Sequence, residues 1–260
     1  MYGFVDTVTR STQSDYSSLR TFFGGVDIDK ALSDSDGSFR TLSISGRGVL
    51  PRRIRTTETP NSHGVREGKY TYEAREIVVR YKLTDRTNKG FRERFNRLNG
   101  LLIGSKKPLE FTDEDAHFIA TLLGGDTPEE DSNNIIGTLV FLCSDPAKRK
   151  GKQFLDITTT FSAFEIKGQA ETPWTTRAVF TVPQSSFTIE ADNGLYVLLN
   201  YNFIAGDVLE VDYYKREVKL NGKNLAVSVS LSTVWKQLGV GYLNIKSSVN
   251  SMLRYDERYF

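Results

Sequence analysis

Apolar and polar residues alternate over most of this chain, the pattern of β-strands with one buried face. In GDVLEVDYYKREVKLNGKN, Gly206–Asn224, the positions Leu209, Val211 and Tyr213 share one side of an extended strand, and Glu210, Asp212 and Tyr214 the other. Asp207 and Asp212 therefore point in different directions. The return strand sets Val218 and Leu220 against Glu217 and Lys219 and ends in Asn221-Gly222, a pair suited to a type I′ hairpin turn. With a third alternating strand expected over Leu225–Leu231, the stretch reads as a three-stranded meander and not as a carboxylate site. Strands are also expected at Arg40–Leu50, Tyr70–Leu83 and Ile135–Cys143.

Between the first two of these lies PRRIRTTETPNSHGVREGK, which has β-formers but too few apolar residues to bury itself. It predicts a hairpin arm over about 51–69. One helix stands out at about 89–103, where Phe91, Phe95, Leu98 and Leu102 recur at the helical period. Asn88 is its expected N-cap, and Gly104 and Pro108 its stop signals. After Cys143 the polar SDPAKRKGKQ reads as a linker, followed by the strand-like ITTTFSAFEI, TRAVFTVP, SFTIE and YVLLNYNF. The fold class is mainly β, with two sandwiches. Residues 1–145 form one with the helix and the arm, and 146–260 a second, jelly-roll-like one.

Length and composition agree with this picture. At 260 residues with 38% apolar content the chain supports two ordinary domains. No window reaches a membrane span, and MYGFVDTVTRSTQSD lacks the pattern of a secretory leader, so synthesis and folding in a cytosol are expected. The lone Cys143 reads as a small buried hydrophobe. Charge is segregated beneath a net +2: residues 40–107 hold seventeen cations against six carboxylates, and 108–145 hold nine carboxylates and no Lys or Arg. The basic stretch raises nucleic-acid binding. Its charges lie on alternating strand positions and one helix face, which favours a solvated or subunit-facing surface.

The inventory for catalysis is thin. His63 and His117 are the two histidines, so with one cysteine the usual zinc sets cannot be assembled. LSDSDGSF offers Asp34, Asp36 and Gly37, but a calcium loop would have Leu32 first and Ser43 twelfth. SGRGVLP lacks the third glycine of a dinucleotide fingerprint, and Gly24-Gly25 and Gly124-Gly125 lack the Lys-Ser/Thr of a phosphate loop. Asp113, Glu114 and Asp115 are the carboxylates most able to meet in space. No catalytic residue, cofactor or metal is expected, and no enzyme. Of the aromatics Phe22, Phe23, Trp174, Tyr196, Tyr201, Tyr213, Tyr214 and Trp235, Trp174 after Pro173 is the candidate glycan contact.

The order of FFGGVDI, SISGRG, NSHGVREG, FRERFNRLNGLLIG, KKPLEFTDED and GTLVFLCSDP, followed by GDVLEVDYYKREVKLNGKN, SLSTVWKQLGVGYLNIK and LRYDERYF, resembles the distal tail proteins of siphophages that infect Gram-positive bacteria. The resemblance implies an N-terminal β-sandwich with a helix and projecting hairpin, and a galectin-like C-terminal sandwich. It implies a structural hub at the virion tail tip: a homohexameric ring, assembled in the host cytoplasm, that joins tail tube to baseplate and surrounds the DNA exit channel. Its implied partners are further copies of itself, the tail tube protein, the tail-associated lysin or tail fibre protein, and receptor-binding proteins held by the outward C-terminal domains. DNA passes without specific binding, and no membrane is involved. The large second-domain insertion of longer members is missing, which argues against a dedicated glycan role.

A head-to-tail ring brings two unlike surfaces together. The expected pair here is the arm, with Arg52, Arg53, Arg55 and Arg66, against Asp113, Glu114 and Asp115 of the next subunit. The alternative reading is a carbohydrate-binding β-sandwich module for host cell-wall glycan.

Overall fold

The computed structural model describes residues 19–126, 129 and 132–260. The leader-like question at the N-terminus and part of the acidic run, Glu130 and Asp131, fall outside the described residues. The chain divides into two compact units, the first ending at Pro146 and the second spanning Ala147–Phe260.

The first unit contains β1 (Thr21–Phe23), β2 (Val26–Asp27), α1 (Ile28–Ala31), β3 (Gly37–Ser45), β4 (Arg52–Glu58), β5 (Val65–Tyr72), β6 (Arg75–Asp85), α2 (Asn88–Leu101), β7 (Lys107–Phe111), β8 (His117–Gly124) and β9 (Asn134–Cys143). Antiparallel pairing runs β3–β6–β9–β8–β7–β1–β2. Asp29 ties the far ends of that order together. Its carboxylate accepts from Thr21 N at 3.0 Å, Thr41 N at 2.6 Å and Thr41 Oγ1 at 2.8 Å, standing in for ladder bonds that β1 and β3 do not make to each other. Burial raises the Asp29 pKa, while these hydrogen bonds oppose the rise. The sheet folds over a core that includes Phe23, Phe39, Ile77, Val79, Leu83, Phe118 and Phe141, and α2 closes it with Phe91 and Leu98.

Several expectations need correction. The N-cap of α2 is Thr87, whose Oγ1 accepts from Gly90 N at 3.0 Å, because Asp85 holds Thr87 N at 2.9 Å and fixes where the helix begins. Arg94, on the buried side of α2, binds the Asp85 and Asp34 carboxylates at 2.8 Å each. Asp34 also accepts from Asp36 N and Gly37 N, so the LSDSDGSF loop is a turn locked by one aspartate and an arginine. The strand expected at Arg40–Leu50 stops at Ser45, since Gly46 has φ +86 and no room for a Cβ beside the Glu76 carbonyl. The strand expected at Tyr70–Leu83 is broken at Glu73-Ala74, where the chain leaves the arm and joins the body.

The second unit contains β10 (Lys148–Ile157), β11 (Ser162–Ile166), β12 (Trp174–Val179), β13 (Gln184–Ala191), β14 (Tyr196–Phe203), β15 (Val208–Asp212), β16 (Glu217–Leu220), β17 (Lys223–Asn224), β18 (Gly241–Ser247) and β19 (Ser251–Tyr259). One sheet is ordered β17–β16–β15–β12–β19–β10 and the other β11–β18–β13–β14. Their inner faces share a core that includes Trp174, Val211, Val218 and Leu253 from the first sheet, and Phe187, Ile189, Leu199 and Ile245 from the second.

Two elements here differ from the pattern-based reading. The polar KRKGKQ is the first half of β10, paired from Lys148 opposite Tyr259 to Ile157 opposite Ser251, with Gly151 at φ +47 in a bulge. The C-terminal strand supplies the ladder, so β10 needs no apolar face there. Leu225–Leu231 is not a strand. Asn224 Oδ1 accepts from Ala226 N at 2.8 Å and turns the chain into a short 3-10 turn, Ala226–Ser228, which leaves Val227 and Leu231 almost fully exposed. The segment then crosses to the rim of β14, where Val229 bridges Leu199 and Val234 bridges Tyr196.

Candidate assembly surface

The arm is the two-stranded hairpin β4–β5, paired from Arg52 opposite Tyr72 to Glu58 opposite Val65. Among the described residues it pairs with no other strand, and it is exposed on both faces apart from partial cover at Tyr72. A two-stranded ribbon with no sheet beneath it is marginal on its own. Local contacts reinforce it: the Arg52 guanidinium lies over the Tyr70 ring at 4.6 Å and the Tyr72 ring at 5.7 Å, and Arg53 pairs with Glu73 at 3.2 Å. Asn61 and Gly64 take positive φ in the tip that holds His63. Arg55 and Arg66 make no ion pair among the described residues, and Ile54, Val65 and Tyr70 are about half exposed.

Two arginines that the sequence pattern did not single out hold the root of the arm. Arg75 opens β6 with only 2% of its surface exposed. Its Nε donates to the Pro146 carbonyl at 3.0 Å, and its Nη1 to Gly46 O at 2.8 Å and Gly48 O at 3.1 Å. Among the described residues no carboxylate binds it, its guanidinium lies 5.4 Å from the Phe118 centroid, and burial pulls its pKa below the ordinary arginine value. Arg75 thus fastens together the chain entering the arm, the strand leaving it and the end of the first unit. The glycines of SGRG, unconvincing as a nucleotide motif, supply two of the acceptors.

Arg47 is the second. It forks onto Asp113 at 2.8 and 2.7 Å, lies 3.9 Å from Glu114 and stacks 5.2 Å from the Phe111 ring. The Arg47 hydrogen bond holds the Asp113 carboxyl below its ordinary pKa. Asp113 and Glu114, expected to await a neighbouring subunit, are thereby engaged within their own chain by a better-placed cation. Asp115 stays exposed beside them with no ion pair among the described residues.

Trp174 also requires correction. It is 1% exposed, its Nε1 donates to the Lys236 carbonyl at 2.9 Å, and its ring packs 6.0 Å from Tyr213 and 6.3 Å from Trp235. Its position in β12 faces inward with Thr176 and Ala178, so it offers no face to a glycan. Among the described residues, no group of three or more His, Cys, Asp or Glu side chains is arranged to hold a metal ion.

The model of the siphovirus-type tail component C-terminal domain matches residues 167–259. The distal tail protein of Bacillus phage SPP1 is 29% identical over 176 residues, covering 65% of this chain and 67% of that protein. Residues 167–259 thus carry the siphovirus-type tail component domain, and the chain resembles the siphophage distal tail proteins. The crystal structure of the SPP1 distal tail protein superposes with a TM-score of 0.81 at 20% identity, over 93% of this chain and 99% of that one. Two structures of the phage P2 baseplate in its activated conformation contain chains with the same fold. The calcium form gives a TM-score of 0.55 at 7% identity, covering 84% of this chain and 90% of the other, and the strontium form 0.58 at 8%, covering 92% and 97%. The proteins that the chain matches are components of siphophage tails and baseplates.

Proposed function

We propose that this chain acts as a distal tail protein, closing a head-to-tail ring of six copies around the DNA exit channel and joining the tail tube to the baseplate or tail fibre. The exposed arm carries the proposal: a ribbon with half-exposed Ile54, Val65 and Tyr70 and unpaired Arg55 and Arg66 gains stability when it lies on a second surface. Asp115 is the acidic anchor left free for it once Arg47 has taken Asp113. The SPP1 distal tail protein, a hub of the phage adsorption apparatus, shares this fold, which supports the same role here. In this reading the chain has no enzymatic activity, and its neighbours are further copies of itself, the tail tube protein, the tail-associated lysin or tail fibre protein, and receptor-binding proteins.

Exposed ion pairs contribute about 0–1 kcal/mol each, so charge sets the orientation of the arm and apolar contact holds it. Light scattering after size exclusion, alone and with the tail tube protein, should give a mass near six copies. Arg55→Glu with Arg66→Glu should weaken assembly without lowering the melting temperature. A stable two-fold dimer built on the arm would contradict this interface.

A further inference from the structure

We propose that Arg216, stacked on Tyr213 and Trp235, is an anion-recognition site on the second unit that takes an acidic saccharide, one bearing a carboxylate or a phosphate. This goes beyond the ring and does not depend on it. Arg216 ends the turn between β15 and β16, where Lys215 N donates to Asp212 Oδ1 at 3.0 Å and Arg216 N to Tyr213 O at 3.4 Å. Its φ is +55, a backbone conformation that favours glycine or asparagine and is disfavoured for a residue with a Cβ. From that strained position its guanidinium carbon lies 4.1 Å from the Tyr213 centroid and 4.9 Å from that of Trp235.

The platform beneath it is fixed. Tyr213 and Trp235 pack 6.4 Å apart, edge to face, and both rest on the buried Trp174. Stacking uses the face of a guanidinium and leaves its N–H edge available. Arg47, Arg75 and Arg94 all donate to carboxylates or carbonyls. The exposed Arg216 guanidinium makes no hydrogen bond or ion pair among the described residues. Around it the stretch 215–223 holds Lys215, Arg216, Lys219 and Lys223 against one carboxylate, Glu217, which pairs with Lys219 at 2.9 Å. Counting Asp212, which opens the turn, the hairpin 212–223 carries four cations against two carboxylates, a net +2 that favours an anion.

A saccharide fits this surface better than a peptide. Tyr214 is 70% exposed two residues before the arginine, giving apolar surface for the C–H face of a sugar ring, and the sheet edge here, β17, is only two residues long and offers little backbone to an added strand.

The chain's two tryptophans, Trp174 and Trp235, both lie in this cluster, so intrinsic fluorescence reports on it directly. The full chain is titrated with galacturonic acid, glucose 1-phosphate, neutral galactose, inorganic phosphate and a short oligoglutamate at matched ionic strength. A saturable change with the two acidic sugars is expected, with galactose, phosphate and oligoglutamate each weaker by roughly tenfold or more, the loss of one charge-assisted contact or of the sugar platform. Arg216→Gly, which suits the positive φ and keeps the turn, should lose the response while its melting temperature stays at or above that of the parent. Arg216→Lys should retain part of it. Arg177→Gln, on an exposed position of β12, should bind as the parent does. Equal response to galactose or to bare phosphate, tighter binding of oligoglutamate, an undiminished Arg216→Gly variant, or no saturable signal with any probe would each overturn the proposal.

Discussion

Asn221 Nδ2 donates to Asp207 Oδ1 at 2.8 Å, joining the residue before β15 to the turn after β16. The same asparagine accepts from Val208 N at 2.9 Å through Oδ1 and donates from its backbone N to Val208 O at 2.8 Å. Asp207, buried to 7% exposure, spends its other oxygen on Ile204 N at 3.0 Å. The two carboxylates that make this stretch resemble a site therefore have separate structural duties: Asp207 closes the turn before its strand and Asp212 opens the turn after it.

Asn221→Ala should cost about 1–3 kcal/mol, because it strands the buried Asp207 oxygen and the Val208 amide together. Gly222→Val should cost a similar ~1–3 kcal/mol from backbone strain alone, since φ there is +77 and a Cβ would meet no atom within 4 Å. Urea denaturation of each variant measures this. An unshifted midpoint in either would show that the turn does not hold the hairpin.

Arg75→Met should destabilise the first unit by about 1–3 kcal/mol, since the carbonyls of Gly46, Gly48 and Pro146 lose a shared donor. Hydrogen exchange should speed up over 46–52 and in the arm. Exchange confined to the β6–β9 ladder would mean that Arg75 supports the sheet and not the arm root.

The Arg94 hydrogen bond holds the Asp34 carboxyl down at about 2 from an ordinary 3.8. A depressed folded-state pKa stabilises the fold above the unfolded value, and this contribution is lost as pH falls through the folded one. Stability should therefore decline between about pH 4 and pH 2. Asp85, lowered first by the Thr87 amide and then by Arg94, acts in the same direction, whereas Asp29, raised by burial, acts in the opposite one. Carboxyl NMR titration should find Asp34 near 2 in the parent and back toward its ordinary value in Arg94→Leu.

Burial pushes the Cys143 thiol up to about 11, and its side chain is fully enclosed. A thiol reagent at pH 8 should modify it no faster than the first unit opens, with the rate rising in step with urea-induced unfolding. Rapid modification in native buffer would place Cys143 at an accessible surface.

Alternation and turn chemistry sufficed wherever a structure is made by neighbours in sequence. The Asn221-Gly222 turn, the strands β15 and β16, the α2 stripe of Phe91 and Leu98 and the unburied arm all follow from periodicity, positive-φ residues and local apolar content. The tertiary structure decided what depends on partners far along the chain. The polar KRKGKQ became a strand because Tyr255–Tyr259 offered it a ladder, and Trp174 turned inward because Tyr213, Trp235 and the Lys236 carbonyl surround it. Asp113 was claimed by Arg47, 66 positions earlier, and Arg75 found its acceptors at Gly46, Gly48 and Pro146. Sequence pattern registers how many charges a segment carries and which side of an element they take. Which of them remain free for another molecule, such as Arg55, Arg66, Asp115 and Arg216, is fixed only when folding has satisfied the rest, because a hydrogen bond or ion pair is set by distance in space and not by separation along the chain.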